Sequence, residues 1–238
     1  MNKILYIYHQ TQIGDHILCY PIVKYYAEKY DKICLLAFEK GYRHSSNLKR
    51  LYSLIPTIKV IYFKDHYDVL FFIRLNPLNE YLIIGHEDYR EVLSKNNNVR
   101  FDKYYYERAK VPFENKWGGF NFKRDIEKEK DIFYNTFKLK DNTPFVFLQE
   151  DPDRNYLINK KYVDISLPLI ETSKFPEVNI FDFLYTIERA KEVHEINSSF
   201  LTFIDMMQIK HDSLFYHKYV RPAEYEQPHL KLNWKIIE

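Results

Sequence analysis

The sequence predicts an α/β protein built on parallel sheets, and three observations lead there. Apolar runs of strand length alternate with longer segments of helix length. The segments joining successive strands are long enough for right-handed helical crossovers. The alternation stops at a polar interval containing Asn96-Asn97-Asn98 and restarts near Phe145, so the 238 residues suit two compact halves.

In the first half, residues 3–8 read as a buried strand, followed by the polar loop His9-Gln10-Thr11-Gln12-Ile13-Gly14-Asp15. A helix follows with Ile17, Leu18, Pro21, Ile22, Tyr25 and Tyr26 on its apolar side, the proline being tolerated in the first turns. Lys32–Phe38 and Ile58–Phe63 read as strands and Ser46–Ile55 as a helix. Leu70–Ile73 and Leu82–Ile84 fit either a strand or a buried helix, because short apolar runs have no decisive period. The division between domains is placed after residue 110, inside the interval 96–125. In the second half, a charged helix spans 125–137 and strands are expected at Phe145–Gln149, Val163–Leu167, Glu192–Ile196 and Leu214–Tyr219. Helices are expected at Ile180–Ala190 and Ser198–Met207. The tail through Trp234 has no clear pattern.

Composition narrows the function. Net charge is +2 with no block of Lys or Arg, which argues against a nucleic-acid partner. Twenty-two tyrosines and 18 phenylalanines serve mainly as core rather than as a base-stacking platform. No apolar run approaches the ~20 residues of a membrane span. The two cysteines, Cys19 and Cys34, lack metal-site spacing, and a reduced cytoplasmic setting is expected.

Three constellations have the chemistry for a site. Gly14-Asp15-His16 follows the first strand. Asp15 or His16 would act there as a general base, or Asp15 would simply cap the helix. Glu150-Asp151-Pro152-Asp153-Arg154 follows a buried strand. Asp151 and Asp153 would hold a divalent cation, or Arg154 would pair directly with a diphosphate, or the run is only a turn. In His194-Glu195-Ile196-Asn197-Ser198-Ser199-Phe200, Ser198 and Ser199 open a helix whose N–H groups and hydroxyls suit a phosphate, or Ser198 is an ordinary N-cap. Glu188 and His194 flank the turn into that strand, within reach of a ribose or base, or else lie on a solvated helix face and in the core. His211, His217 and His229 match no zinc pattern. Tyr104-Tyr105-Tyr106, Phe113, Trp117 and Phe120 suit core packing better than a sugar-stacking surface.

These residues resemble the GT-B glycosyltransferases, especially heptosyltransferase-like members. Gly14-Asp15 with Pro21 is similar to the family's first loop. The run Phe145–Arg154 resembles the start of its second Rossmann-like domain. Ile196-Asn197-Ser198-Ser199-Phe200 is similar to the Ser-Ser turn that holds a donor diphosphate. The layout also looks like that of short viral and marine-bacterial proteins of this kind. Gln10 and Gln12 stand where heptosyltransferases often carry an arginine or lysine. The resemblance implies two Rossmann-like domains facing a cleft, with the acceptor on 1–110 and the nucleotide-sugar donor on 111–238. It implies Asp15 as base, Arg154, Ser198 and Ser199 on the diphosphate, and Glu188 and His194 on the nucleoside. Neither a metal nor a cofactor is expected. The alternatives are a metal-dependent GT-A-like transferase using Asp151 and Asp153, and a non-catalytic nucleotide- or sugar-binding protein.

Overall fold

The computed structural model describes residues 3–39, 41–86, 100–221 and 227–238. The chain forms two compact units, Met1–Lys123 with Gln227–His229, and Arg124–Glu226 with Leu230–Glu238. Both are Rossmann-like α/β units on wholly parallel sheets.

Unit 1 runs β1 (Ile4–Tyr8), α1 (Ile13–Ala27), β2 (Lys32–Phe38), α2 (Gly41–Leu51), β3 (Ile58–Phe63), α3 (His66–Leu75) and β4 (Glu80–Ile83), then α4 (Phe101–Arg108) and the short α5 (Asn115–Gly118). The strand order is β3-β2-β1-β4. Ile33 through Ala37 are all buried, as expected of a parallel strand covered on both faces. The run Leu70–Ile73 is helical rather than extended, started by Asp65, whose side chain accepts the Asp68 N–H at 3.0 Å. Pro21 lies deep in α1 rather than in its first turns. Its ring packs on the end of α5, where a Cβ on Gly119 would lie 3.0 Å from the Pro21 Cβ.

Residues 111–123, assigned from sequence to the second domain, pack with unit 1 instead. Phe113 sits edge-on to Tyr106, and Phe120 edge-on to Tyr20. Tyr105 and Tyr106 are buried, so these aromatics are core. Beneath them lies a buried ion pair. Lys116 Nζ donates to Asp102 Oδ2 at 2.6 Å and to the His229 carbonyl at 2.6 Å. Asp102 also accepts the His229 N–H at 2.7 Å and contacts His229 Nδ1 at 2.8 Å. Asp102 is completely buried and Lys116 is 1 % exposed.

Unit 2 opens with α6 (Ile126–Asp131), which widens into a π turn over Ile132–Thr136. Then come β5 (Val146–Leu148), β6 (Leu169–Glu171), a 3-10 turn at Ile180–Phe183 leading into α7 (Leu184–Ile187), β7 (Glu192–Glu195), α8 (Ser199–Met207), β8 (Leu214–His217) and β9 (Lys235–Ile237). The order is β6-β5-β7-β8-β9. The strand expected at Val163–Leu167 forms six residues later, at Leu169–Glu171. Asp164 Oδ1 accepts the N–H of Ser166 at 3.2 Å and its hydroxyl at 2.5 Å, which makes that stretch a turn. The tail, patternless in sequence, supplies the edge strand β9. Buried Asp205 holds it by accepting the Lys231 N–H at 2.9 Å, the Leu232 N–H at 3.0 Å and the Trp234 indole N–H at 3.1 Å.

The Asp102 cluster makes a direct prediction. Removing one partner of a buried pair typically costs about 3–5 kcal/mol, so Lys116→Ala should lower the unfolding free energy in urea by that order. His229 and Lys116 together hold the Asp102 carboxyl below its ordinary value despite burial, which opposes them. A depressed acid contributes stability above its unfolded pKa and loses it as pH falls through the folded one. Wild type should therefore lose stability below about pH 4, the unfolded carboxylate range. Asp102→Asn should be weaker at pH 7 and flatter in that acid limb.

Candidate active site

Each unit has one topological switch point, where consecutive connections leave a strand in opposite directions; ligands of open parallel sheets bind outside the carboxyl ends there. In unit 1 it lies between β1 and β4, and in unit 2 between β5 and β7.

At the unit 2 switch point, the Gln149 N–H donates to the His194 carbonyl at 2.9 Å, closing the ladder. The loops after β5 and β7 are therefore neighbours. Glu150, 7 % exposed, accepts the Ile158 N–H at 2.9 Å and Lys160 Nζ at 2.9 Å, which folds the first loop back on itself. Asp151 caps the 3-10 turn Pro152–Arg154, and its Oδ2 accepts Arg154 Nε at 2.5 Å. Asp151 and Asp153 are thus parts of a turn. Among the described residues no group of three or more His, Cys, Asp or Glu side chains is arranged for a metal ion.

The Arg154 side chain is 59 % exposed and lies 5.6 Å from the Tyr156 ring centroid. Arg221, from the segment after β8, reaches the same ring at 5.2 Å and donates to the Asn197 carbonyl at 2.6 Å. Two guanidinium groups thus lie against the Tyr156 ring, and one of them, Arg221, reaches the residue before the Ser198 cap of α8. There Ser198 Oγ accepts the Phe200 N–H at 3.1 Å and the Leu201 N–H at 3.4 Å, so Ser198 is the N-cap. Ser199 is the first helical residue, and its hydroxyl stands outside the capping bonds.

Two sequence candidates lie elsewhere. Glu188 follows α7 on the approach to the amino end of β7, where its carboxylate takes Arg124 Nη1 at 2.7 Å and Nη2 at 3.1 Å. His194 is an interior residue of β7, with Nδ1 2.9 Å from His217 Nε2, Nε2 3.1 Å from Glu192 and its ring stacked on Phe215. Burial pushes both histidines down, His217 to about 4. The structure does not bring Glu188 or His194 to the edge that holds Arg154, Ser198 and Ser199.

At the unit 1 switch point, Asp15 occupies the first turn of α1, and its Oδ2 accepts the Gln12 N–H at 3.2 Å. The capping role is real, and it leaves the carboxylate half-buried at the crevice edge. His16 is completely buried, with Nδ1 3.3 Å from the Tyr52 hydroxyl, which places it in the core. Around them is a group of histidines that the sequence motifs did not single out. His9 Nδ1 donates to the Gln10 carbonyl at 2.6 Å, and its ring meets the His16 ring at 4.5 Å. Burial pushes His9 down to about 4, so it stays neutral. His66 Nδ1 lies 2.6 Å from the Tyr8 hydroxyl, and His86 stacks on Tyr8 at 3.8 Å. Gly85, at φ +74°, has no room for a Cβ, which would lie 2.8 Å from the Tyr105 ring. The available signal was position: a histidine directly follows β1 and another lies three residues past β4.

No family model and no curated protein matches this sequence. A solved structure does: a glycosyl transferase family 9 protein from Veillonella parvula DSM 2008, with a TM-score of 0.53 and 9 % identity. The alignment covers 90 % of this chain and 79 % of that one. At that identity the likeness is one of fold, and it agrees with the two parallel α/β units described above. Among the described residues no helix is long and apolar enough to cross a membrane.

Glu195, the last residue of β7, is completely buried, and neither carboxyl oxygen has a hydrogen-bond partner. Burial drives its carboxyl well above the usual range, against a smaller opposing effect of the nearby Ser198 hydroxyl. A raised folded pKa gives stability that is full below the unfolded value and is lost as pH rises toward the folded one. Glu195→Gln should therefore raise the melting temperature at pH 7 to 8, and the gain should shrink toward pH 4. An unchanged or lower melting temperature at pH 8 would contradict a protonated Glu195.

Proposed function

We propose that this protein is a glycosyltransferase that moves a sugar from a nucleotide-sugar donor to a hydroxyl of a glycan or other acceptor, without a metal ion. The observation that supports this most is the unit 2 switch point. Arg154 and the opening turn of α8 stand on adjacent loops at the edge where such sheets bind ligands. The fold this protein shares with a glycosyl transferase family 9 protein supports the same chemistry by analogy.

In this reading the donor diphosphate lies across Arg154 and the first turn of α8. The guanidinium takes phosphate oxygens in place of Asp151, its partner in the present arrangement. Ser199 donates its hydroxyl, while Ser198 keeps the helix start rigid by capping it. As the bond between the sugar and the diphosphate breaks, negative charge grows on the leaving phosphate, and these fixed donors stabilise it. Arg154 and the helix start supply the positive charge that a divalent ion supplies elsewhere. Asp15 takes the proton from the acceptor hydroxyl as its oxygen attacks the sugar.

Steady-state turnover of nucleotide sugars in the presence of EDTA tests the assignment. Arg154→Ala and Ser199→Ala should each lower kcat/KM, by ~10²-fold or more for the arginine. Asp15→Asn should lower kcat by ~10²–10⁴-fold. All three should keep the wild-type melting profile within a few degrees. Wild-type turnover by all three variants, or activity that disappears with EDTA and returns with manganese, would contradict the proposal.

A further inference from the structure

Glu195 is a buried acid at the unit 2 edge to which the proposed reaction gives no task. It is completely buried, and neither carboxyl oxygen has a hydrogen-bond partner among the described residues. The sheet register sets its neighbours. Leu148 lies beside His194, so Gln149 is level with Glu195, and on the other side Tyr216 lies beside Glu195. Residues level with one another across a sheet share a face. Gln149, Glu195 and Tyr216 thus form a polar row across the carboxyl ends of β5, β7 and β8. Gln149 is buried too, and its Oε1 has no partner among the described residues. Two residues back along β5, on the same face, the Phe147 ring meets Phe200 of the first turn of α8 at 5.9 Å. The row therefore lies beneath the start of α8.

Each element around Glu195 presents a group to it. β5 contributes the Gln149 amide, β8 the Tyr216 phenol, α8 the Phe200 ring and the helix cap the Ser198 hydroxyl. His194 and His217 alternate to the opposite face, where they contact each other. Asp205 of α8 is committed to the Lys231 and Leu232 N–H groups. Among the described residues no charged side chain acts on Glu195, whereas the Ser198 hydroxyl does. Ser198 is also the cap that takes the Phe200 and Leu201 N–H groups. One hydroxyl thus links the buried acid to the positive end of the helix. Burial holds the carboxyl well above the usual range, so its neutral form persists to higher pH than in an ordinary glutamate.

We propose that Glu195 is a positioning residue for the donor diphosphate: with its proton on, it leaves the start of α8 open to a phosphate, and as a carboxylate it takes the Ser198 hydroxyl and the helix charge for itself. Ligand and ionised Glu195 exclude each other, because both are anions competing for one helix end. The inference rests on the reading of this edge as a diphosphate site. Where Glu195 is ionised, binding takes up a proton, and affinity falls by up to about tenfold per pH unit.

Calorimetric titration of the full chain with UDP, GDP and ADP in EDTA, from pH 6 to 9, tests it. Glu195→Gln keeps the side-chain shape and cannot ionise, and comparison at one pH cancels the titration of the ligand itself. Wild type and variant should bind alike at pH 6, and at pH 9 wild type should be weaker by about tenfold or more. Repeating the wild-type titration at pH 8 to 9 in buffers of different ionisation enthalpy should show proton uptake on binding, a readout that needs no variant. Kd profiles that run parallel from pH 6 to 9 are what a purely structural Glu195 gives; they would overturn the inference and leave the diphosphate site standing. Wild-type binding without proton uptake would do the same. Binding of none of the three nucleotides by wild type at any pH would overturn the inference and the diphosphate reading together.

Discussion

The parallel pairing of β5 with β7 is the constraint on which the unit 2 site depends. Its register sets Val146 beside Glu192, Phe147 beside Val193 and Leu148 beside His194. Because side chains alternate faces, a slip of one residue would turn Val146 and Leu148 out of their core cluster. Gln149 and Ile196 are the first residues past β5 and β7, and the two loops start side by side. Every feature of the edge follows. Glu150 turns inward to organise its loop, Arg154 emerges from the capped turn, and Asn197 meets Arg221 just before α8 begins. In unit 1, pairing of β1 with β4 does the same for the loop that leads to Asp15 and the loop through Gly85.

Three buried carboxyls show how differently such a group can be used. Asp102 and Asp205 accept several hydrogen bonds each, and both organise the C-terminal segment: Asp102 through His229, Asp205 through Lys231, Leu232 and Trp234. Such satisfied acids pay for their desolvation with structure, converting a patternless tail into an ordered strand. Glu195 has no such bonds, and burial drives its carboxyl well above the usual range, at the end of the strand that leads into α8. A cost of this kind, tolerated beside a ligand edge, sets Glu195 apart from the two aspartates.

Much of the fold was readable in the sequence because burial on both faces leaves plain marks. β2 is a run of this kind and forms where expected; the edge strand β3, half-buried to exposed, also forms where expected because its apolar residues still outnumber its one lysine. The misplaced elements have local causes. Val163–Leu167 has strand composition, but the Asp164 side chain binds its own backbone and delays the strand to Leu169. Leu70–Ile73 had no period to read because α3 is apolar on both sides. Near the candidate site, the turn that carries Arg154 and the helix start at Ser198 were legible because strand ends and helix starts are local features. His194 was not, since its partner His217 is on a neighbouring strand. Arg221 could not be found that way either: it meets Asn197 across 24 residues of chain, and only the sheet order brings them together.

Calorimetric titration of the purified chain in EDTA with UDP, GDP, ADP and CMP tests the central claim most directly, because it asks only whether the unit 2 edge takes a nucleoside diphosphate without a metal. The account predicts saturable binding of one nucleoside diphosphate, much weaker binding of the corresponding nucleoside, and loss of the difference between them in Arg154→Ala. Binding that requires manganese, or equal affinity for the nucleoside and its diphosphate, would contradict it.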